Sequence, residues 1–217
     1  MELIHKSFDI LLHFDVYLNT MIQHSGLWSY LILFTVIFAE TGFVVTPFLP
    51  GDSLLFVLGT FSAKGAFNPV ILTGTLMLAA IAGDSINYAI GKYFGDRLIR
   101  ARNIPFFNKE HLDKTHHFYK KYGGKTIILA RFIPVVRTFA PFVAGIAHMD
   151  YVKFFTYNVV GGIAWVAIFV LSGYFFGNIP FIKENLSLVV LVIIIISIIP
   201  GVIEYLKYRI TKNKGVS

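Results

Sequence analysis

Apolar residues come in blocks along this chain, separated by short polar interruptions. Leu3–Gln23 is apolar but broken by His5, Lys6, Asp9, His13 and Asp15. Its apolar positions recur at helical spacing, which predicts an amphipathic, interfacial helix. Leu27–Ala39 is apolar for 13 residues and stops at Glu40. A helix of that length is about 20 Å long, too short for a hydrocarbon core about 30 Å thick. Asp52–Ala63 is short again, and Pro47, Pro50 and Gly51 lie between the two. Residues 27–63 therefore predict a re-entrant hairpin that dips into the membrane and returns. Pro69–Gly95 is long enough to span, with Asp84 and Asn87 inside it. Thr126–Ala147 is apolar but interrupted by Arg131, Pro134, Arg137 and Pro141, and predicts a second re-entrant hairpin. Tyr151–Gly177 and Leu186–Leu206 predict two further spans, the last kinked at Pro200.

The blocks repeat in order. An amphipathic stretch, a broken hairpin and a span occur once in the first half and once in the second, where His111–Tyr122 is the amphipathic stretch. Glu40 precedes Pro50 by the same interval that separates Arg131 from Pro141, and the spans end on GKYFG (Gly91–Gly95) and GYFFG (Gly173–Gly177). Opposed repeats with broken segments in corresponding positions point to a transporter site near the membrane midplane. The expected fold is an all-α integral membrane protein, one domain over residues 1–217. It is an inverted repeat of interfacial helix, re-entrant hairpin and transmembrane helix, closed by a C-terminal transmembrane helix.

Composition agrees. Charged residues make up 14% of the 217, against 56% hydrophobic, and the mean hydropathy is +0.69. A soluble domain carries about a quarter charged residues. The N-terminus lacks the basic start and small-residue cleavage site of a signal peptide. There is no cysteine, so disulfide and thiolate chemistry are excluded. The net charge of +7 collects in the basic segment 96–125 and in the C-terminal tail. The positive-inside rule puts both in the cytoplasm, which accounts for the charge without nucleic acid. Anionic lipid is a secondary attraction.

Five ionisable residues interrupt the apolar blocks: Glu40, Asp52, Asp84, Arg131 and Arg137. An isolated charge at the bilayer centre costs about 2.5–3.5 kcal/mol even on the lenient insertion scale, so five are tolerable only if they converge. They make either structural ion pairs or a polar cavity for an ion or a polar substrate. Asp52, just after Pro50 and Gly51, can cap a helix start. Glu40 has no such explanation, because it ends its half-helix where the dipole disfavours an anion. A buried carboxyl there is a candidate for exchanging protons. Arg131 and Arg137 suit bidentate capture of phosphate or carboxylate, and a half-helix starting after Pro141 would add N–H donors. In the bland alternative the arginines pair only with Glu40 and Asp52. Asp84, Asn87, Tyr88 and Gly91 form one polar stripe at helical spacing, facing the hairpins, with Asp84 a further proton or ion site. His111, His116 and His117 sit on a charged segment and read as solvated rather than metal-binding. No phosphate-binding loop, nucleophile elbow or HExxH occurs, so no enzyme signature, metal or cofactor is expected.

The stretches ETGFVVTPFLPGDSLLF, GDSINYAIGKYFG, GGKTIILARFIPVVRTFAPFVAG and PGVIE resemble the bacterial DedA family, within the SNARE-associated Golgi protein or VTT-domain superfamily. The resemblance covers nearly the whole chain. It implies a bacterial inner-membrane protein with two opposed re-entrant hairpins, needed for envelope integrity. It implies essential acids at Glu40 and Asp52 and essential arginines at Arg131 and Arg137. Family members include translocases of undecaprenyl phosphate, proteins linked to phosphatidylethanolamine movement, and lipid scramblases. The expected function is a lipid transporter for undecaprenyl phosphate, with Arg131 and Arg137 on the phosphate and Glu40, Asp52 and Asp84 handling protons. Asn87, Pro50 and Pro141 would support the cavity. The rivals are a phospholipid translocase, a proton-coupled antiporter for small cations or drugs, and a non-transporting scaffold. Glycines in the spans allow close contacts within one subunit or across a homo-oligomer.

Overall fold

The structure, a computed structural model, describes residues 26–43, 51–100, 124–177 and scattered positions from 179 to 193. The expected interfacial helix at 3–23, Pro50, most of the basic segment 96–125 with its histidines, and most of the span 186–206 lie outside the described residues. Among those described, six helices follow one another: α1 (Trp28–Gly42), α2 (Gly51–Ala63), α3 (Pro69–Arg100), α4 (Lys125–Ala130), α5 (Pro134–Ile146) and α6 (Tyr151–Phe176).

Two stretches are long and apolar enough to cross a membrane, Pro69–Phe94 in α3 and Tyr151–Phe176 in α6, each of 26 residues. At 1.5 Å per residue each reaches about 39 Å, more than a hydrocarbon core needs. Helix α3 runs on past the apolar stretch to Arg100, where Asp96, Arg97 and Arg100 replace apolar residues. Helices α1, α2 and α5, with 15, 13 and 13 residues, are too short to span. All three are apolar helices of the length a half-helix has.

The second hairpin breaks elsewhere than expected. Pro141 lies inside α5 instead of opening a half-helix. The interruption is at Arg131–Ile133, where the amides of Arg131, Phe132 and Ile133 bond to carbonyls three residues back and tighten the end of α4. Ile133 is extended, at φ −118° and ψ 105°. A residue that precedes proline is pushed out of the helical region, and Pro134 then starts α5, where a missing N–H costs nothing.

The two halves carry matched local structure. Helix α2 ends with Gly65 N–H bonded to Ser62 O and Ala66 N–H to Phe61 O; α5 ends with His148 N–H bonded to Gly145 O and Met149 N–H to Ala144 O. This is the Schellman pattern, and its left-handed residue is Gly65 (φ +83°) in one half and His148 (φ +50°) in the other. Each terminator leads into a capped span. Asn68 Oδ1 accepts from the amides of Val70 and Ile71, and Asp150 Oδ1 accepts from the amide of Lys153.

Packing is matched as well. Helix α2 lies on α6, and α5 lies on α3, so these two half-helices each pack on the span of the other half, while α1 lies on α3, the span of its own half. At both crossings glycines allow backbone-to-backbone approach. A Cβ on Gly59 or Gly173 would strike the Val170 or Phe56 carbonyl, and one on Gly145 or Gly91 would strike the Tyr88 or Phe142 carbonyl. Gly91 and Gly173 are the first glycines of GKYFG and GYFFG, so those similar letters mark equivalent contacts.

Burial is arranged for lipid. Val70, Leu78, Val152, Val160, Leu171 and Phe175 are exposed on the two spans, whereas Glu40, Asp52, Asp84, Arg131 and Arg137 are all at most 6% exposed. In water this arrangement would leave large apolar patches wet and charges dry. One apolar core joins α1, α2, α3 and α6 around Leu55, Leu76 and Trp165; a second joins α3 to α6 around Tyr88, Ile127 and Phe154.

Candidate functional site: a buried network of five charges

All five buried ionisable residues are paired, in two separate groupings. In the first, Arg137 on α5 joins both acids of the first hairpin. Its Nη1 donates to Asp52 Oδ1 at 2.7 Å, and its Nη2 pairs with Glu40 Oε1. Asp52 sits in the first turn of α2, and Glu40 in the last turn of α1. The Gly51 amide, at the start of α2, donates to the same Glu40 oxygen at 3.2 Å. Gly51 leaves room for the Glu40 carboxylate, which a Cβ there would displace.

Trp165 completes this group from α6. Its Nε1 donates to Asp52 Oδ1 at 2.8 Å, and its ring lies 5.2 Å from the Arg137 guanidinium carbon. One indole therefore hydrogen-bonds to the anion and offers its π face to the cation.

In the second grouping Arg131, at the break between α4 and α5, pairs with Asp84 on α3. Its Nη2 lies 2.5 Å from Asp84 Oδ2 and 2.5 Å from Asn158 Oδ1 on α6, with the Ala80 carbonyl at 3.4 Å. Asn158 uses its amide nitrogen on the Ile81 carbonyl and the Ser85 hydroxyl. Gly161 gives the arginine room: a Cβ there would lie 3.1 Å from Arg131 Cδ. The arginines thus do not both pair with Glu40 and Asp52. Only Arg137 does, and Arg131 takes Asp84.

The polar stripe on α3 faces the hairpins as its spacing predicts. Asn87 donates to the Thr41 carbonyl on α1 and to the Thr138 carbonyl on α5, tying both hairpins to the span. Tyr88 donates to the Met149 carbonyl, and Gly91 meets α5. Of the supporting prolines, Pro141 lies within α5, away from the break at Arg131–Ile133.

Among the described residues, several buried polar atoms have no hydrogen-bond partner: Glu40 Oε2, Asn87 Oδ1, and the Nε of both Arg131 and Arg137. Such atoms are costly in a dry interior unless a ligand, water or proton meets them. With every group ionised, the three acids outweigh the two arginines by one negative charge. A recess of about 500 Å³ lies elsewhere, between Tyr88, Ala89, Lys92, Tyr93 and Tyr151, on the outer side of α3.

Sequence reasoning missed Trp165 and Asn158. Both carried a signal: Asn158 is a polar residue within an apolar span, and Trp165 lies mid-span rather than at an end, where tryptophans gather at membrane interfaces.

Comparisons with known proteins give the family. The VTT domain model matches residues 49–175. Protein DedA of Escherichia coli K12 is 51% identical over 211 residues, covering 96% of either chain. An uncharacterized membrane protein of Mycobacterium tuberculosis is 41% identical over 183 residues, covering 82% of this chain and 79% of its own. Inner membrane protein YqjA of Escherichia coli K12 is 32% identical over 151 residues, covering 70% of this chain and 69% of its own. No solved structure matches. With charges buried among half-helices and apolar spans turned outward, the chain belongs to the DedA family of VTT-domain membrane proteins.

Proposed function

We propose that the protein carries an anionic lipid across the inner membrane, most directly undecaprenyl phosphate, as a transporter and not an enzyme. The observation that supports this reading is the pair of buried guanidinium groups, one on α5 and one at the break between α4 and α5, each with an Nε that has no partner among the described residues. Guanidinium is the side chain best matched to phosphate oxygens, and a buried donor without a partner is a group awaiting an acceptor. The apolar outer faces of α3 and α6 would let the polyprenyl tail stay in lipid while the headgroup enters between the hairpins. Glu40, Asp52 and Asp84 would exchange protons or release the arginines as the cavity alternates. The basic segment 96–125 and the C-terminus would face the cytoplasm.

A second reading has one observation in its favour. The excess of acids over arginines suits a proton-coupled cation antiporter, in which the arginines are counter-charges. A phosphatidylethanolamine translocase is the third, with Asp84 as partner for the amine. The test is flux in liposomes of labelled undecaprenyl phosphate, phosphatidylethanolamine and small cations, each measured with the same preparation. Preferential movement of the polyprenyl phosphate supports the proposal. Cation flux coupled to protons without lipid movement overturns it.

A further inference from the structure

The geometry points to the N-terminus of α2 as the seat of the substrate phosphate, held in this structure by the protein's own Glu40 carboxylate. This rests on the phosphate-lipid reading and assigns the headgroup to one of the two arginines. Glu40 Oε1 is bracketed by two donors, the Gly51 amide at 3.2 Å and Arg137 Nη2. Gly51 opens a helix of 13 residues, so its amide and the partial positive charge of the helix start face whatever sits there. The absence of a Cβ on Gly51 makes the space that the carboxylate fills. A lone helix start would say little. Here a charged occupant is seen in place, and beside it the Arg137 guanidinium, on a side chain only 6% exposed, keeps Nε without a partner. The occupant also underuses the seat, because Glu40 Oε2 has no partner. A phosphate brings more terminal oxygens than a carboxylate and can meet the amide, Nη2 and Nε together.

The other residues divide the work. Asp52 is held to one side by the Trp165 Nε1–H, which lets Arg137 keep one carboxylate while exchanging the other. Arg131 is less free to exchange. Its Nε is also unpartnered, but Asp84 is matched to it one to one, and Asn158 shares the same Nη2. Displacing Asp84 would leave Arg131 without its one carboxylate, whereas Arg137 keeps Asp52 when Glu40 leaves. Glu40 is thus a competitor for the seat, and Arg131 positions the second hairpin.

The test uses dodecyl phosphate as probe with purified protein in maltoside micelles. The chain has two tryptophans, and replacing the exposed Trp28 by Phe leaves Trp165, in contact with Arg137, as the reporter of binding. In that background Glu40→Gln should bind dodecyl phosphate about ten- to hundredfold more tightly, the effect of removing one charge-assisted competitor. Arg137→Lys should bind at least about tenfold more weakly, and Arg131→Lys within about threefold of the parent. Unchanged or weaker binding by Glu40→Gln overturns the seat, as does an Arg131→Lys loss equal to that of Arg137→Lys. The Glu40→Gln arm decides even if Arg137→Lys folds poorly, since glutamine preserves shape. No binding by parent and Glu40→Gln alike overturns both the seat and the phosphate-lipid reading. Equal affinity for inorganic phosphate and dodecyl phosphate supports the seat but overturns a lipid as its ligand.

Discussion

Asp52 and Arg137 stand 85 residues apart in the chain and meet at 2.7 Å, fully inside the protein. Their contact joins α2, which follows α1 in the first half of the fold, to α5, which follows α4 in the second. A buried pair of this kind is weak proof of stability, since desolvation offsets much of the attraction, but breaking it by removing one partner is costly. Arg137→Ala should therefore lose about 3–5 kcal/mol by stranding two carboxylates. The triple variant Glu40→Gln, Asp52→Asn, Arg137→Ala should recover much of that loss. Thermal unfolding in detergent checks this, and a triple variant less stable than Arg137→Ala alone would contradict it.

Trp165 predicts a split between two of its own functions. Trp165→Phe keeps an aromatic face near Arg137 and removes one donor to Asp52 Oδ1, which still accepts from Arg137 Nη1, at an expected cost of about 0.5–1.5 kcal/mol for one buried hydrogen bond. Trp165→Leu removes both and should lose more. Equal stability of the two variants would show that the π contact adds nothing.

Asn158 holds Arg131 with its oxygen and α3 with its nitrogen. Asn158→Leu should destabilise by about 1–3 kcal/mol, because the Ile81 carbonyl, the Ser85 hydroxyl and Arg131 each lose a partner. Asn158→Asp changes the charge beside Arg131 without shortening the side chain and should be tolerated better. The order of the two melting temperatures is the measurement.

The matched crossings predict matched sensitivity. Gly59→Ala at the α2–α6 contact and Gly91→Ala at the α3–α5 contact each drive a methyl group into a carbonyl of the facing helix. Each should cost about 1–3 kcal/mol as the helices are forced apart. Gly74→Ala meets nothing within 4 Å and should be neutral or slightly stabilising. A Gly74→Ala loss as large as that at Gly91 would undo the packing argument.

Much of this was legible in the chain because hydrophobic length is a strong constraint. A 13-residue apolar block cannot span, so Leu27–Ala39 had to give a short helix, and α1 ends close by at Gly42. The five buried charges were equally legible, since each is too costly to leave in lipid. Their pairing was not. Whether Arg131 meets Asp52 or Asp84 depends on how α3 and α6 lie against the hairpins, which no local spacing encodes. The position of the second break was also hidden. Ile133–Pro134 and Ala140–Pro141 offer the same local signal, and only the packing of α5 on α3 through Gly145 and Gly91 keeps the helix continuous through Pro141. The letters that did carry across, GKYFG and GYFFG, are those whose first glycine makes a backbone contact.

The most direct measurement is translocation of undecaprenyl phosphate in reconstituted liposomes, comparing the wild type with Arg137→Lys and Arg131→Lys, each verified as folded. The account predicts transport by the wild type, loss of at least about tenfold in Arg137→Lys, where bidentate geometry at the exchanging pair is gone, and a smaller loss in Arg131→Lys. Wild-type transport that survives Arg137→Lys unchanged would contradict it.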